Sequence, residues 1–93
     1  MSLIKRSLSI YGHATSLAME AEYWAVIDYV AARDERSIAA IIKELDDRRV
    51  AEKYSRGLAA FIRVWAVRLM VYDADLNTHL KTCFAAFDDV QQT

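Results

Sequence analysis

Residues 14–45 read ATSLAMEAEYWAVIDYVAARDERSIAAIIKEL, and the rest of the chain is arranged around this segment. The alternation of side chains over residues 14–19 predicts a short β-strand. Apolar residues then recur every three to four positions, which predicts an amphipathic helix over residues 20–33. The charged turn Asp34-Glu35-Arg36 lacks the usual glycine, so we expect this helix to end gradually. Ser37 is a good N-cap for a second helix.

One short strand cannot satisfy its own backbone hydrogen-bonding groups, and two helices with a bare strand make a poor core. The pattern therefore implies a second copy of the chain, with two strands paired antiparallel and four helices packed around them. The preceding residues 3–10 also alternate loosely, and Gly12 can bend the chain after them by accepting a positive φ. Two interpretations remain: residues 3–10 form a hairpin with strand 14–19, or they are an arm that leads into it.

Several sequence features stand at fixed offsets from this strand. The inward positions of the strand are Thr15, Leu17 and Met19, and the inner stripe of the first helix is Tyr23, Val26, Ile27 and Val30. Arg36-Ser37-Ile38 stands at the turn and the start of the second helix. The segment before the strand reads KRSLSIYGHATS over residues 5–16.

In these features the chain resembles the ribbon-helix-helix family of dimeric DNA-binding proteins, the class of Arc and the Met repressor. A narrower subgroup fits better still, because it begins with a segment close to Lys-Arg-Ser-x-Ser/Thr-Ile-x-Gly-His-Arg-Thr-Ser. The resemblance extends from about Lys5 to about Arg68. It implies a mostly α-helical, intertwined homodimer whose two-stranded antiparallel ribbon takes one strand from each copy.

We expect a ribbon-helix-helix domain at residues 4–50 and a helical extension at residues 51–93 that packs on the same unit. Ser55 is expected to cap a third helix, and residues 73–75 to break it. Helical spacing then continues to the end of the chain. The apolar positions of this extension are Leu58, Phe61, Ile62, Trp65 and Leu69, followed by Leu76, Leu80, Phe84 and Phe87.

Composition suits a small dimeric domain. The chain has 93 residues, of which 55% are hydrophobic, and a dimer would hide part of that apolar surface. The net charge of −1 argues against electrostatic binding of nucleic acid by the chain as a whole. The charge is uneven, however, because residues 1–19 contain Lys5 and Arg6 and no acidic residue.

The sequence offers little to a catalytic or membrane function. The single Cys83 excludes an internal disulfide and suits a reducing compartment. No stretch approaches the roughly 18 apolar residues of a membrane span and no signal peptide is visible, so we expect a cytoplasmic protein without a membrane partner. His79 and Cys83 share a helical face, but two ligands do not make a metal site. Because no phosphate-binding loop or nucleophile motif is present, we expect neither an enzyme nor a cofactor.

The DNA-binding hypothesis depends on the outer face of the ribbon, because a two-stranded ribbon fits the major groove and its outward side chains meet base edges. The basic segment before the strand and the free N–H groups at the start of the second helix offer contacts to phosphates. The candidate DNA-contacting residues are Lys5, Arg6, His13, Ala14, Ser16, Ala18, Ser37, Ile38 and Ala39.

Two departures from the subgroup leave an alternative open. Ala14 stands where the subgroup usually has arginine, and Ala18 where it usually has a polar residue. Arginine and lysine make the commonest specific base contacts, so the ribbon is alternatively a dimerisation strand alone. Ser37 is alternatively a plain helix cap, and Lys5 and Arg6 a solvated terminus.

The sequence therefore favours a dimeric DNA-binding transcriptional regulator with double-stranded DNA as its partner. The alternative function is a protein-interaction module, such as an adaptor or an antitoxin-like protein whose C-terminal helices bind another protein. For either function we expect a homodimer. Its interface is expected to contain Thr15, Leu17, Met19, Tyr23, Trp24, Ile27, Ile38 and Ile42.

Overall fold

The computed structural model describes residues 3–85 as a two-stranded sheet packed against four helices. In chain order the elements are β1 (Ile4–Ile10), β2 (His13–Met19), α1 (Ala21–Arg33), α2 (Ile38–Ala51), α3 (Leu58–Tyr72) and α4 (Ala74–Cys83). The predicted strand and the first two helices are present in the predicted order. No helix within residues 3–85 has the length and apolarity needed to cross a bilayer.

β1 and β2 pair antiparallel within one chain, with Ile4 opposite Met19 at the open end of the hairpin. Tyr11 (φ 53°) and Gly12 (φ 75°) both have positive φ, as a type I′ turn requires. Only Gly12 adopts this conformation without a Cβ penalty. Of the two interpretations of residues 3–10, the structure shows the hairpin. A strand from a second copy is therefore not needed to satisfy this edge of β2, because β1 already pairs with it.

The hairpin packs one face on the helices and leaves the other face bare. Ile10, Leu17 and Met19 are each less than a tenth exposed, and Thr15 is half-buried. The inward positions predicted for the strand are thus the ones that meet the core. At the open end of the hairpin, the Trp24 indole N–H donates a 2.8 Å hydrogen bond to the carbonyl oxygen of Ile4 and joins α1 to β1.

α1 and α2 both end at a residue with positive φ that is not glycine, namely Glu35 (φ 52°) and Lys53 (φ 54°). After α1, the N–H of Arg36 donates to the carbonyl oxygen of Ala31 at 2.9 Å, which is the long-range bond of a Schellman motif. The expected gradual end of α1 is therefore wrong. Glu35 adopts the left-handed conformation and ends the helix sharply.

Helix starts follow the sequence signals with one exception. The Ser37 hydroxyl accepts a 3.1 Å hydrogen bond from a backbone N–H in the first turn of α2, as predicted. Asp73 caps α4 in the same way, accepting from the N–H of Leu76 at 3.0 Å, so the expected break is the start of a new helix. Ser55, however, is not the cap of α3, which begins after Gly57 without a side-chain cap.

The core consists of two buried clusters that reach from the hairpin to the C-terminal helices, and the partly buried Trp65 and Leu69 pack against both. One cluster joins the sheet to α1, α2 and α3 around the fully buried Met19, Trp24, Ile27, Ile42 and Ile62. A second cluster of Val26, Ala66 and Leu76 joins α1 and α3 to α4. Helices beyond residue 51 thus supply buried side chains to the same unit. The predicted apolar position Phe87 lies outside the described residues.

Replacing Leu76 with Ala tests whether α4 belongs to the folded unit. Leu76 is fully buried, so the change should lower the free energy of unfolding by about 2–5 kcal/mol. Leu3→Ala is the matched control, because Leu3 is 52% exposed and its truncation should change stability by less than about 0.5 kcal/mol. Urea unfolding at one fixed protein concentration measures both. Equal midpoints for the two variants would show that α4 does not contribute to the core.

Candidate nucleic-acid interface

The bare face of the hairpin, called the outer face here, consists of Lys5, Ser7 and Ser9 on β1 and Ala14, Ser16 and Ala18 on β2. These residues are paired across the strands as Lys5 with Ala18, Ser7 with Ser16 and Ser9 with Ala14. All are exposed except Ala18, which is half-buried. The structure thus brings the predicted β2 residues together with Lys5.

Two members of the outer face, Ser7 and Ser9, are absent from the residues predicted from the sequence. The alternation of residues 3–10 carries the signal for them, because every second side chain of a strand lies on the same face. That signal becomes usable once β1 is known to pair with β2. Without the pairing register, the sequence does not show which residues of β1 lie on the same face as Ala14, Ser16 and Ala18.

The chemistry of the outer face is small, polar and free of carboxylates. Three hydroxyls can each donate and accept hydrogen bonds, two alanine methyls offer apolar contact, and one lysine supplies positive charge. Apart from Lys5, every side chain on this face is a serine or an alanine. A flat partner can therefore approach the backbone closely. A two-stranded ribbon of this kind has the dimensions that the major groove admits.

Arg6 does not lie on the outer face, although it is a predicted phosphate contact. Its guanidinium forms two hydrogen bonds with the Asp28 carboxylate of α1, at 2.8 and 3.1 Å. It also lies 4.4 Å from the centre of the Trp24 ring. The hydrogen bond with Asp28 raises the pKa of Arg6 above its ordinary value. Arg6 therefore joins β1 to α1, and its charge is already balanced within the chain.

His13 begins β2 beside the turn and is exposed, and its neighbour Tyr11 fastens the turn to α2. The Tyr11 hydroxyl donates a 2.5 Å hydrogen bond to Asp47, which raises the pKa of Tyr11. The Lys43 ammonium lies 4.6 Å from the centre of the Tyr11 ring. These contacts hold the tip of the hairpin against the middle of α2.

The start of α2 is a second candidate phosphate site. Ser37 is exposed and its hydroxyl serves as the cap, whereas Ile38 and Ala39 are half-buried. Ser37 lies ten residues before Asp47, or about 15 Å along the helix axis. The contacts of the hairpin tip with Lys43 and Asp47 lie in the middle of the same helix, and the cap bond is the contact that the structure describes for the Ser37 side chain.

The residues predicted for a dimer interface all pack, fully or in part, within the fold of one chain. Met19, Trp24, Ile27 and Ile42 are at most 1% exposed, and Leu17 is 8% exposed. The remaining members, Thr15, Tyr23 and Ile38, are half-buried. The physical reason is the hairpin, which covers the helices with its own two strands. Most of these side chains therefore pack in the core of one chain, whereas Thr15, Tyr23 and Ile38 are partly accessible, and their contact with a second copy stays a prediction.

Elsewhere, charged side chains form ion pairs at or near the surface, some of which connect two elements. Arg63 of α3 donates two hydrogen bonds to Glu20, at 3.0 and 2.8 Å, and these lower the pKa of Glu20. His79 and Cys83 approach to 3.4 Å on α4. Within residues 3–85, no three His, Cys, Asp or Glu side chains form a group that could hold a metal ion.

Replacing Arg6 and Lys5 separately distinguishes an internal role from a surface role. Arg6→Ala removes an ion pair and a cation–π contact, so the free energy of unfolding should fall by about 1 kcal/mol. Lys5→Ala should change it by less than about 0.5 kcal/mol, because Lys5 is exposed and has no carboxylate within 4.0 Å in the described structure. Chemical denaturation compares the two. A stability loss that is larger for Lys5 would contradict the assignment.

Comparison with known proteins gives one result. The model of the ribbon-helix-helix domain family matches residues 3–70, which include the hairpin, α1, α2 and most of α3. No curated protein and no solved structure matched the chain. Members of the matched family are generally DNA-binding transcription regulators or antitoxins. Because the match covers well over half of the 93 residues, the chain belongs to the ribbon-helix-helix domain family.

Proposed function

We propose that this protein is a homodimeric transcriptional regulator of the cytoplasm that binds double-stranded DNA through the outer face of its hairpin. The observation that carries the proposal is an exposed two-stranded ribbon with three hydroxyls, one lysine and no carboxylate. DNA phosphates repel carboxylates, and the outer face contains no Asp or Glu. The family to which the chain belongs supports the same function.

Each group on the outer face has a plausible DNA partner. Lys5 pairs with a backbone phosphate, and the paired hydroxyls of Ser7 and Ser16 can donate to or accept from base edges. The alanine methyls can contact a thymine methyl. Without arginine on this face there is no bidentate contact to guanine, so sequence discrimination is modest. The proposed protein is thus a binding protein of low specificity rather than an enzyme.

The charge pairs of the structure limit how strongly phosphates can be held. Seven of the twelve Lys and Arg residues have a carboxylate within 4.0 Å in residues 3–85, including Arg6. On the outer face, Lys5 is therefore the one cation per chain that is available to a phosphate. A dimer that engages both copies of Lys5 would release about two counterions, giving a log–log salt slope near −2.

A protein-interaction module remains the second candidate function. The observation that favours it is the scarcity of unpaired cations near the outer face, together with exposed valines on α3. In that case the ribbon would be a structural element, and another protein would occupy the C-terminal helices. Binding to DNA separates the two candidates.

Fluorescence anisotropy with a duplex of mixed sequence, measured between about 50 and 200 mM salt, tests the proposal. The parent protein should bind with a slope near −2, and Lys5→Ala should flatten the slope and weaken binding to every duplex alike. Lys81→Ala is the matched control, because Lys81 is an exposed lysine on α4, away from the hairpin. It should bind as the parent does.

A second readout concerns sequence preference. Ser16→Ala removes a central hydroxyl of the outer face without touching the core, so it should change the ranking of duplexes more than the salt slope. Ser55→Ala removes an exposed hydroxyl in the loop before α3 and should leave the ranking unchanged. If the parent binds no duplex even at low salt, the regulator proposal is wrong and the interaction-module function takes its place.

A further inference from the structure

Two hollows lie on the outward side of α3, one on each side of Val64 and Arg68. These two residues are one helical turn apart, and both of them line both hollows. The larger hollow has a volume of about 320 Å³ and is completed by Tyr23, Arg63 and Val67. We call the residues that line the two hollows the α3 surface.

The smaller hollow lies between the end of α2 and α3 and has a volume of about 110 Å³. Its walls are mainly aromatic, because Tyr54, Phe61 and Trp65 line it beside Arg48. The Tyr54 and Phe61 rings meet edge to face with their centres 5.3 Å apart. The wall is thus already formed in the free chain, so a bound partner would lose little free energy in ordering it.

The composition of the α3 surface is that of a protein interaction site. Val64 and Val67 are 38% and 48% exposed, and Val71 continues the apolar row on the next turn. Valine is a weaker helix former than alanine or the charged residues that usually occupy solvent faces. Around the valines stand two tyrosines, one tryptophan and three arginines, the residue types that dominate the centres of protein interfaces.

The charge of the α3 surface is positive, although the whole chain has a net charge of −1. Arg68 is exposed and has no carboxylate within 4.0 Å among residues 3–85. Arg63 is balanced by Glu20 through hydrogen bonds of 3.0 and 2.8 Å. Glu52 lies 3.8 Å from Arg48 and is the single carboxylate among the residues that line the hollows. A partner with carboxylates is therefore complementary to this surface.

We propose that the α3 surface is the docking site for an acidic amphipathic helix of another protein. Apolar side chains of that helix lie against Val64 and Val67 and enter the two hollows. Its Asp and Glu side chains pair with Arg68 and Arg48. The inference goes beyond the proposed function, because it assigns to a second surface a partner other than DNA and gives the chemistry of that partner.

A helix suits this surface better than an extended segment does. An extended peptide adds to a protein through the free backbone groups of a sheet edge, whereas the backbone groups of α3 are used within the helix. Val64, Val67 and Val71 form a row about 10 Å long on one side of α3. A second helix laid beside this row presents its own apolar side chains at the same spacing, with the axes about 8–10 Å apart.

An anionic membrane is the competing occupant of a face that is both basic and apolar. Membrane-binding faces project large apolar side chains toward the lipid. Here the aromatic rings form the walls of a hollow instead, since Phe61 is 7% exposed and Trp65 is half-buried. Hollows accept single side chains, so the shape of the surface favours a protein partner.

Isothermal titration calorimetry with the full chain and a synthetic peptide tests the proposal. The probe is a peptide of about 18 leucine and glutamate residues, with leucine at helical spacing so that one face is apolar. The control peptide has lysine in place of every glutamate. The parent should bind the glutamate peptide and not the lysine peptide. Arg68→Glu should weaken the glutamate peptide by about tenfold or more and create binding to the lysine peptide.

Lys5→Glu is the matched control variant, because it makes the same change of charge at an exposed residue on the outer face of the hairpin. It should bind the glutamate peptide as the parent does. Tryptophan fluorescence gives the location of the bound peptide. Trp24 is 1% exposed, so a change on adding peptide reports Trp65, and Arg68→Glu should reduce that change at equal peptide concentration.

Other occupants of the surface give different results. Equal affinity for the two peptides, or no binding of either, would show that the α3 surface does not recognise acidic helices. Binding of phosphatidylglycerol vesicles by the parent but not by Arg68→Glu would assign the surface to a membrane. A dimer that becomes monomeric in Val64→Glu, with an unchanged circular dichroism spectrum, would assign it to a second copy of the chain. Each of these results overturns the proposal.

The DNA measurements keep this inference distinct from the proposed function. Arg68→Glu should bind duplex DNA as the parent does, whereas Lys5→Glu should lose that binding. A parent that binds the glutamate peptide but no duplex retains the docking site and removes the regulator. If Arg68→Glu loses duplex DNA as completely as Lys5→Glu does, the α3 surface is part of the DNA site and the docking proposal is wrong.

Discussion

Pairing of β1 with β2 inside one chain is the constraint on which the rest of the structure depends. An isolated strand needs a partner for its N–H and C=O groups, and here a type I′ turn supplies it after two residues. The pairing defines two faces at once. One face seats Leu17 and Met19 on the helices, and the other is left without a cover. It also removes the requirement for a second copy at this edge of the sheet.

The C-terminal helices complete what the hairpin begins. A chain of this size buries only about 60–65% of its unfolded surface, so every apolar side chain counts. α3 contributes Phe61 and Ile62 beneath the sheet, and α4 closes the far side with Leu76. Ion pairs that join distant parts of the chain, such as Arg6 with Asp28 and Arg63 with Glu20, lie on the rim of this core. They fix the relative placement of elements more than they add stability.

Local sequence signals account for most of the secondary structure. Apolar spacing located the helices, and Ser37 located the start of α2, because caps and periodicity act within a few residues. The hairpin stayed one of two alternatives, since strand pairing is decided by the whole fold. The left-handed Glu35 has no sequence signal, because its own preference opposes that conformation. Ser55 lost the cap position to Gly57 for reasons that no described contact explains.

For the candidate site, the outward residues of β2 were predictable from the alternation of side chains. The ion pair of Arg6 with Asp28 was not predictable in this way. Asp28 is 22 residues away from Arg6 on another element, so no local pattern connects the two residues. The residues predicted for the dimer interface were identified correctly as facing inward, whereas their contact with a second copy stays a prediction.

Side chains alternate between the two faces of the hairpin, so each residue of β1 and β2 lies either on the core face or on the outer face. Side chains at one parity hold the fold together, and those at the other parity touch only the surroundings. Substitutions on the outer face therefore have little effect on the packing of the core. A lineage can exchange Ser7, Ser16 or Ala14 for other side chains and change what the protein binds, while the core beneath retains its packing. The same sheet can in this way serve many targets across descendants without a new fold.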